Sequence, residues 1–454
     1  MKIIPDFYKK SDLSQKLIYL FIFIMGLSLS ALLINLIINP KDVFYRITVF
    51  YSHSFGSDFE YIYNISKTPT PYNETIYPPF AHLLMKCIGF VFTSWVSYAI
   101  FHVGALILCC VYLYKLINQK TLIKVLLLIC IIVSLPFLFT IERGNIIVWA
   151  FLFTVLFLYY YKSESVKNNR LQREFSYVFL AMAAAIKLYP LIFIVFLVMD
   201  KNLRGTVKTL LYTVILLTVP FLFFEGGFNN LGLFLSNMFN HTGADYATYN
   251  KVNILSLFYI FIQLTDIGNI QLYEIFTQVA FYLSIFYLLT ACFATLFIKE
   301  KYKVLAVFGA LILLIPQVSY LYGMLFLIPA LIAFFNENKK TKKDVVILIC
   351  YMLLFLSFPF PIIKLYWYIP IPHDCWNSLL TNTPFQILAL LTISMIYIIE
   401  GLFNMVNLIR QKKFFIKLFR LLTFKRDCGD MDLSNGIMGQ AVTESPNEIE
   451  AQAS

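Results

Sequence analysis

Two carboxylates separated by a single residue, Asp58 and Glu60, stand in the run Ser57-Asp58-Phe59-Glu60-Tyr61 of a chain that spends only 25 of its 454 residues on acidic side chains. A carboxylate partly enclosed by Tyr and Phe can hold a proton affinity suited to a general base. The same two acids would serve as solvated loop charges. Further along, Glu142-Arg143-Gly144-Asn145 makes a four-residue turn between apolar runs. The Arg143 fork suits phosphate or carboxylate, and a pair with Glu142 or a snorkelling side chain accounts for it as well. Lys187, in Ile186-Lys187-Leu188-Tyr189-Pro190, is an ionisable group inside an apolar hairpin. Such a residue either does chemistry or reaches out to the headgroups.

Polar and aromatic groups recur at other breaks. Tyr77-Pro78-Pro79 is a rigid entry turn, because proline fixes its own φ and extends the residue before it. Tyr77 could line a pocket. Asn240-His241 and then Tyr246, Tyr249, Asn250, Lys251 and Asn253 precede a short apolar segment at 254–264. Tyr and Asn suit sugar hydroxyls, and they suit a membrane-interface belt too. Gln317, Ser319 and Tyr320 interrupt another apolar run and could face the same cavity. There is no Walker loop, HExxH, GxSxG or CxxC, so nucleotide-driven transport, zinc proteolysis and thiol redox chemistry lack their residues. The eight cysteines have no metal-ligand spacing and most lie in apolar runs. Cys87 and Cys375 could pair on one side.

The elements that must position these groups are membrane helices. The chain is 60% hydrophobic and 13% charged, with mean hydropathy +0.75; a soluble domain carries about twice that charge. Several apolar runs reach the ~20 residues needed to span a bilayer core. The hydropathy predicts an all-α integral membrane protein of about twelve helices, over 17–38, 95–114, 122–139, 146–161, 175–188, 189–199, 210–224, 276–298, 304–315, 322–335, 345–358 and 385–408. The first run is too long for a signal-peptide core and lacks a cleavage site, so it reads as an uncleaved span. The segment 175–199 reads as two short helices meeting near Lys187, which implies a cavity there, since broken helices at membrane depth need protein or water to satisfy their backbone.

Charge sets the orientation. Of 36 Lys and Arg residues, 28 fall in 1–16, 115–124, 162–174, 200–208, 299–303, 336–343 and 409–454. By the positive-inside rule these are cytoplasmic, as are both termini. That asymmetry accounts for the net charge of +11 without nucleic acid. Three long outer loops follow, 39–94, 225–275 and 359–384, with the apolar stretch 78–92 lying along the outer surface. Residues 1–409 form the transmembrane domain. Residues 410–426 carry Lys413, Lys417 and Arg420 on one helical face, as an interfacial helix would, and 427–454 reads as a disordered tail.

The order of these pieces resembles glycosyltransferase family 87, membrane enzymes of the GT-C type that include polyprenyl-phosphate-mannose-dependent mannosyltransferases. The resemblance is carried by Asp58-Phe59-Glu60 after the first span, Tyr77-Pro78-Pro79, Arg143-Gly144-Asn145 opening a helix, Lys187-Leu188-Tyr189-Pro190, and Asn253 followed by Ser256, over most of residues 1–335. It implies a GT-C-like bundle with surface helices on its outer face. The active site would open outward at the inner (plasma) membrane and move a mannose-like hexose or pentose from a polyprenyl-phosphate donor to a glycan or glycolipid acceptor, with inversion. Carried over by position, Asp58 is the base, Glu60 a supporting or acceptor-orienting group, and Arg143 and Lys187 contacts to the donor phosphate. The sugar and acceptor pocket would draw on Tyr61, Tyr77, Asn145 and Tyr189, and on His241, Asn253, Gln317 and Tyr320. The scheme requires no metal or other cofactor, although Asp58 and Glu60 could bind a divalent ion. A cell-surface polysaccharide polymerase or ligase would share the spans and large outer loops but depend on outer arginines; only Arg46 and Arg143 lie outside. A transporter or lipid flippase would need a central ionisable path and related halves.

Overall fold

The computed structural model describes residues 12–38, 56–73, 75–162, 169–241, 252–258, 270–316, 320–356 and 383–411. Among them the structure is helical, with no strand. In chain order the main helices are α1 (Leu13–Ile38), α2 (Ser57–Ser66), α3 (Pro79–Val91), α4 (Ser94–Leu116), α5 (Thr121–Ile132), α6 (Leu135–Arg143), α7 (Ile147–Lys162), α8 (Arg170–Ile186), α9 (Tyr189–Met199), α10 (Leu203–Thr218), α11 (Asn230–His241), α12 (Ile270–Thr295), α13 (Lys301–Leu314), α14 (Leu321–Asn336), α15 (Lys342–Phe355) and α16 (Thr383–Arg410). By length and hydropathy, α1, α4, α10, α12 and α16 can each cross a bilayer. The pair α5–α6, bent by 49°, makes a sixth if taken as one broken span. The bend falls just before Pro136, whose missing N–H and ring exclude a continuous helix there. The protein is a polytopic membrane protein.

Hydrogen bonds between loops define the two ends of the bundle. At one end Asn336 donates to the carbonyl of Leu116 (2.8 Å) and Ser14 to that of Glu337 (3.1 Å). Lys301 and Tyr161 both donate to Asp200 (2.7 and 2.8 Å), and Lys303 pairs with Glu400. The described parts of the basic loops gather here. At the opposite end Gly56 N–H meets the Glu142 carbonyl (2.8 Å) and Tyr98 donates to the Ile141 carbonyl (2.7 Å). Back at the basic end, Asn202, just after α9 and two residues from Asp200, donates to Tyr177 near the start of α8 (2.7 Å). The chain between them therefore rises and returns, with Lys187 at the tip.

Packing explains which helices are central. From Val304 to Leu314 every residue of α13 is buried, as is every residue from Leu321 to Phe335 of α14. These helices carry no amphipathic stripe because protein surrounds them on all sides. In α8 the run Ala183-Ala184-Ala185 is fully buried; small side chains let α7 and α10 approach closely, which is how helices associate where lipid is as apolar as the core. Gly401 of α16 does the same work: a Cβ there would lie 2.4 Å from the Ala294 carbonyl oxygen of α12.

Hydropathy located the apolar cores of the helices but not their ends. Helix α8 begins at Arg170, where Asn169 accepts from Leu171 N–H (3.1 Å), and α10 at Leu203, where Asn202 accepts from Gly205 N–H (3.0 Å). Caps, rather than hydrocarbon, set those boundaries. Residues 57–66, read from sequence as part of a loop, are helical. The segment read as a surface stretch over 78–92 forms α3, which packs with residues 66–73 and 219–238 into a cap at the end opposite the basic loops. Its centre is Tyr72, Phe221, Phe224 and Phe234, and Glu225 N–H to the Pro69 carbonyl (3.0 Å) ties it together. The expected interfacial helix, the C-terminal tail and Cys375 lie outside the described residues; Cys87 is exposed.

Candidate active site

The site forms where two helix ends abut. Helix α2 starts at Gly56, in the left-handed region at φ 75°, with Asp58 and Glu60 in its first turn, where exposed peptide N–H groups favour negative charge. Helix α6 ends at Gly144, also left-handed at φ 65°, with Arg143 in its last turn, where the free carbonyls favour a cation. The two ends meet closely: a Cβ on Gly144 would fall 2.9 Å from Phe59 Cβ and from the Tyr98 ring, and 3.1 Å from Gly56 Cα.

That junction delivers Arg143 to Asp58. The guanidinium donates to Asp58 Oδ1 as a close ion pair, with the two side chains 24% and 15% exposed, so the pair is sheltered but reachable. Asn145 Nδ2 donates to Asp58 Oδ2 at 2.8 Å and lies 3.4 Å from the Tyr77 hydroxyl. Its Oδ1 caps α7 by accepting the Ile147 N–H at 3.0 Å. An amide whose oxygen is committed to a backbone donor must turn its NH2 the other way. The start of α7 thus aims Asn145 at Asp58.

Lys187 completes the group from the hairpin tip. It leaves α8 in an extended conformation, φ −143° and ψ 126°, and sets its Nζ 4.1 Å from the centroid of the Tyr77 ring, a cation–π contact. Burial, reinforced by the charge of Asp58, holds the Tyr77 phenol above its ordinary pKa, with Tyr61 and Tyr320 also in electrostatic reach. Tyr77 therefore stays protonated and able to donate. Tyr320 packs on Tyr322 (5.4 Å), which stacks on Phe139 (6.0 Å), and Tyr189 sits edge-on to Phe326 (5.6 Å).

Asp58, Tyr77, Arg143, Asn145 and Lys187 thus come together, with Tyr61 and Tyr320 near them. Others do not join. Glu60 is exposed and lines a shallow pocket with Trp95, Tyr98 and Gly56, because residues two apart on a helix diverge. Asn253 is buried, accepting from both the backbone N–H and the hydroxyl of Ser256 (2.8 Å each), beside a cavity of about 30 Å³ lined by Thr277 and Ser284. His241 ends α11 with its side chain outside the described residues, as is Gln317. Among the described residues no three His, Cys, Asp or Glu side chains cluster as metal ligands.

Two neighbours had little or no sequence signal. Tyr322 lies in an apolar run yet reaches the electrostatic field of Tyr77 and Asp58. His82 sits behind Tyr77, with rings edge-on at 6.3 Å, its Nδ1 bonded to Ser66 Oγ at 2.8 Å. Burial pushes its pKa down to about 3. A histidine in an apolar helix was the only available hint.

A bundle of membrane helices that closes one end around a carboxylate, two cations and several phenols defines a multi-pass membrane enzyme. The glycosyltransferase family 87 model matches residues 75–334, more than half of the chain, and the protein belongs to that family. It is a membrane glycosyltransferase. A search of curated proteins found no match, and neither did a search of solved structures. Tyr77, Arg143, Asn145 and Lys187 lie inside the matched segment; Asp58 precedes it and enters the site through Arg143 and Asn145.

Proposed function

We propose that this enzyme transfers a sugar, a mannose-like hexose or a pentose, from a polyprenyl-phosphate donor to a glycan or glycolipid acceptor on the extracytoplasmic face, inverting the anomeric carbon. The observation that carries this reading is Asp58, held by Arg143 and Asn145 at the end of the bundle opposite the basic loops. Asp58 takes the proton from an acceptor hydroxyl as that oxygen attacks C1. The bond from C1 to the phosphate oxygen breaks, and the polyprenyl phosphate leaves with the electron pair. Arg143 and Lys187 stabilise the charge that collects on the departing phosphate. Tyr77 and Asn145 orient the reacting groups.

Orientation supports the same scheme. With α7, α8, α9, α13, α14 and α15 read as passes beside the six candidate spans, the chain traverses the bundle twelve times in a GT-C-like arrangement, with both termini on the basic, cytoplasmic side. A site at the other end has no access to cytosolic sugar nucleotides, so a lipid-borne donor is the natural source of activated sugar. The test is Asp58→Asn, nearly isosteric. Since a positioned general base contributes about 10²–10⁴ in rate, transfer from a polyprenyl-phosphate sugar in membranes should fall by at least ~100-fold while insertion and melting behaviour persist. Normal transfer by that variant would refute the assignment.

A further inference from the structure

The two cations assigned to the donor phosphate each have an internal partner. Arg143 is paired with Asp58, and the Lys187 ammonium rests over the face of Tyr77 at 4.1 Å. A phosphate must therefore compete with a carboxylate for one and with an aromatic ring for the other. Chemistry favours the exchange. The donor phosphate, a diester between prenol and sugar, offers two charged non-bridging oxygens that an arginine fork takes bidentately, and an ammonium gains more from an anion than from a ring quadrupole.

Asp58 would stay in place through such an exchange. Its Oδ2 is held at 2.8 Å by Asn145, and Asn145 is fixed through its other end to Ile147 N–H, so losing Arg143 frees Oδ1 without releasing the side chain. We infer that donor binding is an exchange reaction in which the lipid phosphate draws Arg143 from Asp58 and Lys187 from Tyr77. The inference rests on the reading of Asp58 as base and of Arg143 and Lys187 as phosphate contacts. It places the donor first, because loss of the Arg143 partner opens Oδ1 to the acceptor hydroxyl and makes the carboxylate a stronger base. It also gives Tyr77 a second role: a positioning residue that holds Lys187 beside the site and sets the threshold a phosphate must exceed.

The test uses the full chain in detergent, with farnesyl phosphate, a short form of the lipid phosphate that leaves, as probe and farnesol and inorganic phosphate as separate arms, followed by calorimetry. Asp58→Asn and Tyr77→Leu each release one cation, so each should bind farnesyl phosphate about tenfold more tightly than the wild type. Tyr77→Phe keeps the ring and should bind like the wild type; Tyr77→Met replaces Leu if that variant fails to fold. Farnesol affinity should not change in any of them, and inorganic phosphate should follow farnesyl phosphate more weakly. Tightening by Asp58→Asn alone would reduce to removal of a repelling charge and would overturn the exchange, as would tightening by neither. An Asp58→Asn protein that still transfers sugar sinks the base assignment instead, so the two failures are distinguishable.

Discussion

Gly144 lies against Phe59 so closely that a single added methyl on the glycine would sit 2.9 Å from the phenylalanine Cβ. The contact joins the C-terminus of α6 to the N-terminus of α2 and sets the distance between Arg143 and Asp58. Gly144 is also left-handed, at φ 65°, where a side chain is strained by about 1–3 kcal/mol.

Gly144→Ala should therefore lower thermal stability and cut transfer at least tenfold, because both the strain and the overlap fall on the junction that carries the site. Gly104 provides the control: it is helical, and a Cβ there meets nothing within 4 Å. Gly104→Ala should be neutral or slightly stabilising. Melting curves and transfer rates of the two variants, measured together, check this; equal behaviour would count against the junction.

Asn145 carries two duties that substitution can separate. Asn145→Ala removes the helix cap and the donor to Asp58 together. Asn145→Asp keeps a capping oxygen but turns a like charge on Asp58. The aspartate variant should melt closer to the wild type than the alanine variant does, yet lose more kcat. Stability and turnover that fall in parallel across the pair would show that Asn145 is a cap and nothing more.

His82 gives a pH dependence with a definite sign. Its pKa drops from the ordinary 6.5 to about 3 on burial, so the unfolded chain binds the proton first as the medium is acidified. The stability that neutral His82 provides is complete above pH 6.5 and is lost as the pH falls from there toward 3. His82→Gln should show a shallower decline of melting temperature than the wild type across that window. Parallel curves would mean that His82 is not buried neutral.

The orientation of the bundle is open to chemical labelling. Asp58→Cys should react with an impermeant thiol reagent applied outside intact cells. A cysteine introduced as Lys340→Cys, in the loop between α14 and α15, should react only after permeabilisation. Exclusive labelling of position 340 from outside would reverse the assigned topology.

Hydropathy and charge were enough to show a helical, multi-pass membrane chain, since the cost of placing peptide groups and charges in hydrocarbon acts locally and is written in every apolar run. The order of Asp58, Arg143-Gly144-Asn145 and Lys187 pointed to the family for a similar reason: motifs at loop ends survive as linear strings. What sequence could not decide was contact. Asp58 and Arg143 are separated by 85 residues, and only the abutment of α2 on α6 pairs them, while Glu60, two residues from Asp58, faces elsewhere because a helix turns 100° per residue. Lys187 reaches Tyr77 because α8 and α9 fold back on one another, and Tyr322 and His82 join the neighbourhood through packing alone. In an apolar chain, the pattern that marks a helix is nearly silent about which of its faces meets protein and which meets lipid; that is settled only when the helices pack.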